Sequence, residues 1–148
     1  MRINTASEAI SLLRETETSS AAFYRSLAEL HEAHEAFFLG LEKENKRFIS
    51  DIQRTYFGVI TDALEGCYAF DLDPSEYGAS PPTAKGRLAE DLAAALDMEA
   101  RITRLYRDAA AQSKCLMADV PRVMERVVKT RTKRQEKLKE MARELGQQ

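Results

Sequence analysis

The chain has 148 residues, of which 31% are charged, and its formal net charge is −2 at pH 7. That length is enough for one domain with a sizeable hydrophobic core. The nearly balanced charge excludes a global attraction to nucleic acid or to an anionic membrane surface. Tryptophan is absent and glycine and proline are scarce, so the composition favours long helices.

Periodic apolar residues predict four helices in a single domain that covers residues 1–148. The first helix is expected at about residues 5–32, where Thr5 and Glu8 fit a capping box. Its apolar stripe, with steps of three and four residues, reads Ile10, Leu13, Glu17, Ser20, Tyr24, Leu27 and His31. The second helix is expected at about residues 34–66 with the stripe Phe37, Leu41, Phe48, Ile52, Thr55 and Val59.

The second half of the chain repeats this plan after a segment at residues 71–82 that is rich in proline, glycine and aspartate. A third helix is expected at about residues 84–114, with the stripe Leu88, Leu92, Leu96, Glu99, Ile102, Tyr106 and Ala109. A fourth is expected at about residues 119–145, with Val120, Val123, Met124, Val127, Leu138 and Met141. The two halves therefore form an internal repeat of helix pairs.

The lengths of the connections predict how these helices are arranged. The first and last connections are short, so each helix pair is an antiparallel hairpin. The middle connection of roughly 17 residues reaches about 50 Å when it is extended. A helix of about 25 residues is only about 37 Å long. The middle connection can therefore cross the whole bundle.

The same spacing of glutamate and tyrosine occurs once in each half of the chain. Glu17 precedes Tyr24 by seven residues, and Glu99 precedes Tyr106 by seven residues. Seven residues are two helical turns, so each glutamate shares a helix face with its tyrosine. Both glutamates fall within apolar stripes, where a carboxylate is costly unless it is paired or bound to a metal.

With these paired motifs and the long crossover, nearly the whole chain resembles the ferritin-like superfamily, and within it the rubrerythrin-like branch. The resemblance implies an all-α, ferritin-like four-helix bundle of two antiparallel hairpins. In that family the first helix of each hairpin supplies a glutamate with a tyrosine seven residues later. The second helix supplies a Glu-x-x-His pair, and the residues together hold two iron or manganese ions. Glu17 with Tyr24, and Glu99 with Tyr106, match the first-helix pattern.

The second-helix ligands of the family are missing from the equivalent places. In the family, an apolar residue lies four positions before the glutamate and another lies four positions after the histidine. This phase places Arg131 and Arg134 of the fourth helix, and Asn45 and Phe48 of the second, at the Glu and His positions. Glu44-x-x-Arg47 is an alternative, but Arg47 is well off the apolar face and Glu44 is at its edge. Glu125 is likewise far from the apolar face of the fourth helix.

These substitutions predict a buried polar network in place of the metal site. We expect the Arg131 guanidinium to bridge Glu17 and Glu99, with Tyr24 and Tyr106 donating hydrogen bonds to the same carboxylates. Arg134, Asn45 and Phe48 complete the predicted cluster. No cofactor and no catalytic residue is expected. The alternative is a bound iron or manganese ion whose ligands are Glu17 and Glu99.

For function, this sequence favours a non-catalytic structural or protein-interaction role for a bundle that has lost its di-metal site. One alternative is a di-iron or di-manganese carboxylate oxidoreductase with an unusual ligand set. Another is a nucleic-acid-associated bundle that uses the basic run from Arg126 to Lys139. That run lacks interleaved aromatic residues, so a solvated helix face is the preferred interpretation.

Apolar residues off the helix stripes and the two cysteines indicate the oligomeric state and the cellular location. Phe38 and Phe57, off the second stripe, and the segment Tyr68-Ala69-Phe70 are expected to be exposed and to support a homodimer; no protein partner is specified. His31 and His34 are expected at the surface, with a metal pair as the alternative. Cys67 and Cys115, without a recognisable secretory leader, predict a reduced, cytoplasmic protein. No apolar run is long enough to span a membrane.

Overall fold

Four long helices account for most of the protein. The computed structural model describes residues 2–59, 70–78, 81–113 and 119–146. Within them the helices are α1 at Ala6–Leu30, α2 at Glu35–Val59, α3 at Leu88–Gln112 and α4 at Asp119–Gly146. The prediction of an all-α four-helix fold is confirmed. The predicted continuation of α2 to residue 66 and both cysteines lie outside the described residues.

The first turns of α1 and α3 show why these helices begin where they do. At α1, Thr5 Oγ1 accepts a hydrogen bond from the Glu8 amide and Glu8 Oε1 accepts one from the Thr5 amide, each at 3.1 Å. The predicted capping box is therefore confirmed. Helix α3 begins at Leu88 rather than near residue 84, because Gly86 has a φ of 88° that a helix does not accommodate.

The described part of the connection between α2 and α3, residues 70–78 and 81–87, extends from one end of the bundle to the other. Near the start of α1, Ile3 and Leu72 exchange backbone hydrogen bonds of 2.6 and 3.0 Å. At the opposite end of α1, His31 lies against Asp91, in the first turn of α3. Each hairpin is antiparallel, and the two hairpins meet through α1 against α3 and α2 against α4. The predicted long crossover is confirmed.

Two aromatic residues that were expected to be exposed are in the core instead. Phe38 is 0% exposed, and its ring stacks on that of Tyr24 with the centroids 6.3 Å apart. Phe70 is also buried, because its backbone amide bonds to Asn4 and draws this part of the crossover onto α1. The predicted exposure of Phe38 and Phe70 was wrong. The side chain of Phe57 and residues 68–69 lie outside the description.

The end of α1 corrects a further expectation. The side chain of His31 is only 8% exposed, and its Nε2 lies 2.7 Å from Asp91 Oδ2. His31 is therefore not a surface residue, because the last turn of α1 packs against the first turn of α3. His34 is half-buried beside Phe38, with the ring centroids 6.4 Å apart. No helix in the described part of the chain has the length and apolarity needed to cross a membrane.

Candidate functional site

Two tyrosine–carboxylate hydrogen bonds join the hairpins at the centre of the bundle. Tyr24 on α1 donates to Glu99 on α3, and Tyr106 on α3 donates to Glu17 on α1, each at 2.6 Å. The two helices are antiparallel, so seven residues forward along α1 correspond to seven residues back along α3. Equal Glu–Tyr spacings on both helices therefore place each tyrosine opposite the glutamate of the other helix.

Arg131 on α4 connects the two carboxylates. Its Nη1 donates to Glu99 Oε2 at 2.7 Å, and its Nη2 donates to Glu17 Oε1. All three side chains are 0% exposed. Charge-assisted hydrogen bonds of this kind are strong, and the guanidinium presents its donors in a planar fork. The structure thus gives Arg131 a bridging position between α1 and α3.

Arg134, one turn further along α4, extends the network toward α2. Its Nη1 donates to Glu99 Oε1 at 3.0 Å and to Asn45 Oδ1 at 2.7 Å. Its Nη2 donates to Glu44 Oε1 at 2.6 Å, and the Glu44 side chain is 31% exposed. Asn45 in turn donates to Ser20 Oγ at 2.8 Å. All four helices therefore contribute polar side chains to one connected cluster.

Aromatic rings complete the enclosure of both guanidinium groups. The Phe48 ring lies with its centroid 5.5 Å from the Cζ atoms of both Arg131 and Arg134. The Tyr106 ring is 5.9 Å from Arg131, and the Tyr24 ring is 5.3 Å from Arg134. At these distances a ring face attracts a cation. The structure brings together all eight residues that the sequence pointed to.

Comparison with known proteins bears on the fold. This chain aligns at a TM-score of 0.77 with the crystal structure of a Thermotoga maritima protein. That protein is provisionally assigned as a ferritin-like diiron-carboxylate protein. The match covers 97% of both chains at 18% sequence identity. The fold is ferritin-like. No protein-family model and no curated protein matches the chain.

The two carboxyl groups inside this ferritin-like bundle have pKa values that shift in opposite directions. Burial raises the pKa of Glu17, and the attraction of Arg131 offsets that only in part. Burial also acts to raise the pKa of Glu99, but Arg131 and Arg134 together lower it below its ordinary value. The difference has a simple cause, because Glu99 accepts hydrogen bonds from both arginines and Glu17 accepts one from Arg131 alone.

The tyrosines and arginines of the ferritin-like bundle are held in their ordinary protonation states. Burial raises the pKa of Tyr24 and of Tyr106 well above the ordinary value, and the neighbouring carboxylates add to the effect. Burial acts to lower the pKa of Arg131, yet Glu17 and Glu99 raise it overall. At neutral pH, therefore, the two phenols are neutral donors and the two guanidinium groups are charged.

Two contributors to the cluster were missed by sequence reasoning. Ser20 lies on the predicted apolar stripe of α1, and a serine at a buried stripe position is the signal of a hydrogen-bond partner. Glu44 was placed at the edge of the α2 face, and the reach of Arg134 brings it into contact. Arg47 and Glu125 are exposed, as the phase argument required.

The basic run of α4 divides between the interior and the surface of the ferritin-like bundle. Arg131 and Arg134 point inward, while the other five basic residues are exposed: Arg126, Lys129, Lys133, Lys137 and Lys139. A nucleic-acid interface on this face stays a prediction. Binding whose affinity falls steeply with salt would support it.

Proposed function

We propose that this protein is a ferritin-like bundle of rubrerythrin-like ancestry that has lost its di-metal site and has a non-catalytic structural or protein-interaction role. The balance of buried charge carries the proposal. Glu17 and Glu99 supply two fully buried negative charges, and Arg131 and Arg134 supply two buried positive charges. The charges of these four side chains therefore cancel without a metal ion, and the partly exposed Glu44 is a further partner of Arg134.

The residues present do not fit a di-metal centre. An arginine side chain remains protonated in proteins, so two guanidinium groups repel a divalent cation at this place. The four oxygens of Glu17 and Glu99 already accept hydrogen bonds from Tyr24, Tyr106 and the arginines. Within the described residues, no group of three or more His, Cys, Asp or Glu side chains is arranged to hold a metal.

A non-catalytic role is supported by the enclosure of the cluster. Catalysis by an acid or base requires the group to come within hydrogen-bond reach of a substrate. Glu17, Glu99 and Arg131 have no exposed surface, and Arg134 has almost none. These side chains instead connect α1, α3 and α4, and Asn45 adds α2. Their contribution is to hold one arrangement of the helices.

The alternative is an iron- or manganese-binding oxidoreductase in which Glu17 and Glu99 are ligands. The description of the Thermotoga maritima protein as a diiron-carboxylate protein favours it. For this chain the metal would have to displace Arg131 from both carboxylates. Two carboxylates without a histidine form a poor di-iron site.

Metal analysis of purified protein separates these two proposals. Protein expressed in medium rich in iron or manganese should contain well under one equivalent of either metal. The matched control is the variant Glu17→Gln with Glu99→Gln, which removes both candidate ligands. Metal that is equally abundant in the variant is bound elsewhere. Two tightly bound ions that disappear in the variant would overturn the proposal.

A further inference from the structure

A cavity separate from the charged cluster lies between α1 and α3, under the crossover segment at residues 74–78 and 81. Its volume is about 360 Å³, which is within the range of small-molecule sites, roughly 300–1,000 Å³. Its walls are largely apolar and include Leu12, Met98, Ile102 and Leu105. We call it the α1–α3 cavity. Nothing in the proposed structural role accounts for it.

Among the residues that the structure describes, Arg101 is the cation that lines the α1–α3 cavity, and the crossover holds it there. The Arg101 Nη1 atom donates to the Tyr77 carbonyl oxygen at 3.4 Å. Its Nε is buried without a hydrogen bond, although Asp97 Oδ2 forms an ion pair with it at 3.1 Å. Gly78 has a φ of 86°, and a Cβ atom there would collide with the Arg101 guanidinium. The glycine therefore leaves room for the arginine.

The remaining polar lining is mostly uncharged. Ser19 lines the cavity, and its hydroxyl has no hydrogen-bond partner in the part of the chain that the structure describes. Thr16 Oγ1 is occupied as a donor to the Leu12 carbonyl oxygen at 2.8 Å. Glu15 is exposed at the edge of the lining. Its negative charge disfavours a ligand with two anionic groups.

We propose that the α1–α3 cavity binds a medium-chain aliphatic monocarboxylate. The ligand's chain lies against Leu12, Met98, Ile102 and Leu105, and its carboxylate receives charge-assisted hydrogen bonds from Arg101. The apolar walls account for most of the buried surface, and the single guanidinium selects one anionic group. The proposal does not depend on whether the protein binds iron or manganese, because Arg101 is not among the proposed metal ligands.

Calorimetric titration of the full chain tests this proposal with three probes. Octanoate should bind at least about tenfold more tightly than octanol, which lacks the charge, and than acetate, which lacks the chain. Equal affinity for octanoate and octanol would overturn the role of Arg101. No measurable octanoate binding at millimolar concentration would overturn the site.

Two variants and one matched control locate the binding. Arg101→Gln should weaken octanoate binding by about tenfold or more. The control is Arg104→Gln, since Arg104 lies on the same helix and donates to the Glu76 carbonyl oxygen but does not line the cavity. Its affinity should stay at the wild-type value. Ser19→Leu should reduce binding by filling the cavity. Wild-type affinity in folded Arg101→Gln and Ser19→Leu proteins would contradict the assignment.

Discussion

Tyr106 donates a 2.6 Å hydrogen bond to Glu17, and the two residues are 89 positions apart in the chain. The contact is fully buried and joins the first helix of one hairpin to the first helix of the other. Its counterpart from Tyr24 to Glu99 joins the same two helices in the opposite direction. A buried phenol bonded to a carboxylate satisfies two groups that are otherwise expensive to bury. The two pairs therefore fix the register of α1 against α3.

Removing the bridging cation should destabilise the fold strongly. Arg131→Met leaves Glu17 buried with Tyr106 as its remaining donor, and breaking a buried ion pair costs about 3–5 kcal/mol. Adding Glu17→Gln should recover most of that loss, because Glu99 then pairs with Arg134 and the buried charge is balanced again. Urea unfolding of the single and double variants measures both steps.

A third variant tests whether charge balance or bulk explains this recovery. Adding Glu99→Gln to the double variant leaves Arg134 with Glu44 as its charged partner, so stability should fall again. If the triple variant is as stable as the double, buried charge balance is not what stabilises the cluster.

The two carboxylates should respond differently to neutralisation. Glu99 has a lowered pKa, so its stabilisation is present above the unfolded value of 4.5 and is lost as pH falls through its folded pKa. Glu17 has a raised pKa, so its ionisation opposes folding as pH rises above 4.5. At pH 7, Glu99→Gln should therefore cost more stability than Glu17→Gln.

This difference should shrink in acid. Unfolding free energies of both variants at pH 7 and at about pH 3 test the expectation, since wild-type Glu99 loses part of its contribution at the lower pH. A larger cost for Glu17→Gln at pH 7 would contradict the explanation that Glu99 interacts with two arginines and Glu17 with one.

Asp91 should be important for the start of α3. Its carboxylate accepts hydrogen bonds from the amides of Lys85 and Gly86 at 2.7 and 3.0 Å and from His31 at 2.7 Å. Burial acts to raise its pKa, but these donors lower it overall. Asp91→Asn should cost about 1–3 kcal/mol, and the wild-type contribution should fade as pH falls below 3.8.

The neighbouring carboxylate provides the control for Asp91. Glu90 pairs with Arg87 at 2.8 Å but is exposed, so Glu90→Gln should change the unfolding free energy by less than about 1 kcal/mol. Thermal unfolding of the two variants side by side gives the comparison. Equal effects would mean that Asp91 acts as an ordinary surface charge.

If the arginines stand at former ligand positions, restoring those ligands should restore metal binding. The variant that combines Asn45→Glu, Phe48→His, Arg131→Glu and Arg134→His carries the second-helix ligands that the ferritin-like resemblance implies. We expect it to bind iron or manganese at one to two equivalents, measured by elemental analysis after desalting. A variant that folds with helical circular dichroism but binds no metal would place the former site elsewhere.

The homodimer stays a prediction. Its support is weaker because Phe38 and Phe70, which were expected to be exposed, are buried. Among the described residues, Leu30 is the large apolar side chain that remains exposed, at 50%. We expect Leu30→Glu to shift a dimer toward monomer, because a charge would then enter the contact. Light scattering at tens of micromolar compares the two proteins. A monomeric wild-type protein would contradict the prediction.

The sequence was most informative where the helical repeat alone decides which side chains face the core. Helical phase placed Arg131 and Arg134 inside and Glu125 outside, because a rigid helix turns by a constant angle per residue. The exchange of partners between Tyr24 and Glu99 depends on the register of α1 against α3. That register is a tertiary property.

The wrong predictions of surface exposure have a different origin. Phe38 lies beside the predicted stripe of α2, and the buried arc there is wide enough to include it. Phe70 is buried through contacts of the crossover, which has no periodic pattern. His31 is drawn inward by Asp91, 60 residues later. Each of these positions depends on a contact between distant segments.

Each hairpin supplies one buried glutamate of the cluster, but both buried arginines come from the second hairpin. This difference decides which hairpins can pair. Two copies of the first hairpin would bring two Glu17 carboxylates together with no guanidinium, and two copies of the second would bring four arginines to two Glu99 carboxylates. A first hairpin with a second is the combination in which the charges of Glu17, Glu99, Arg131 and Arg134 cancel. Although the halves share one plan, they are not interchangeable. The cluster therefore discriminates against self-pairing of either half during folding and permits exchange of whole hairpins between copies of the chain.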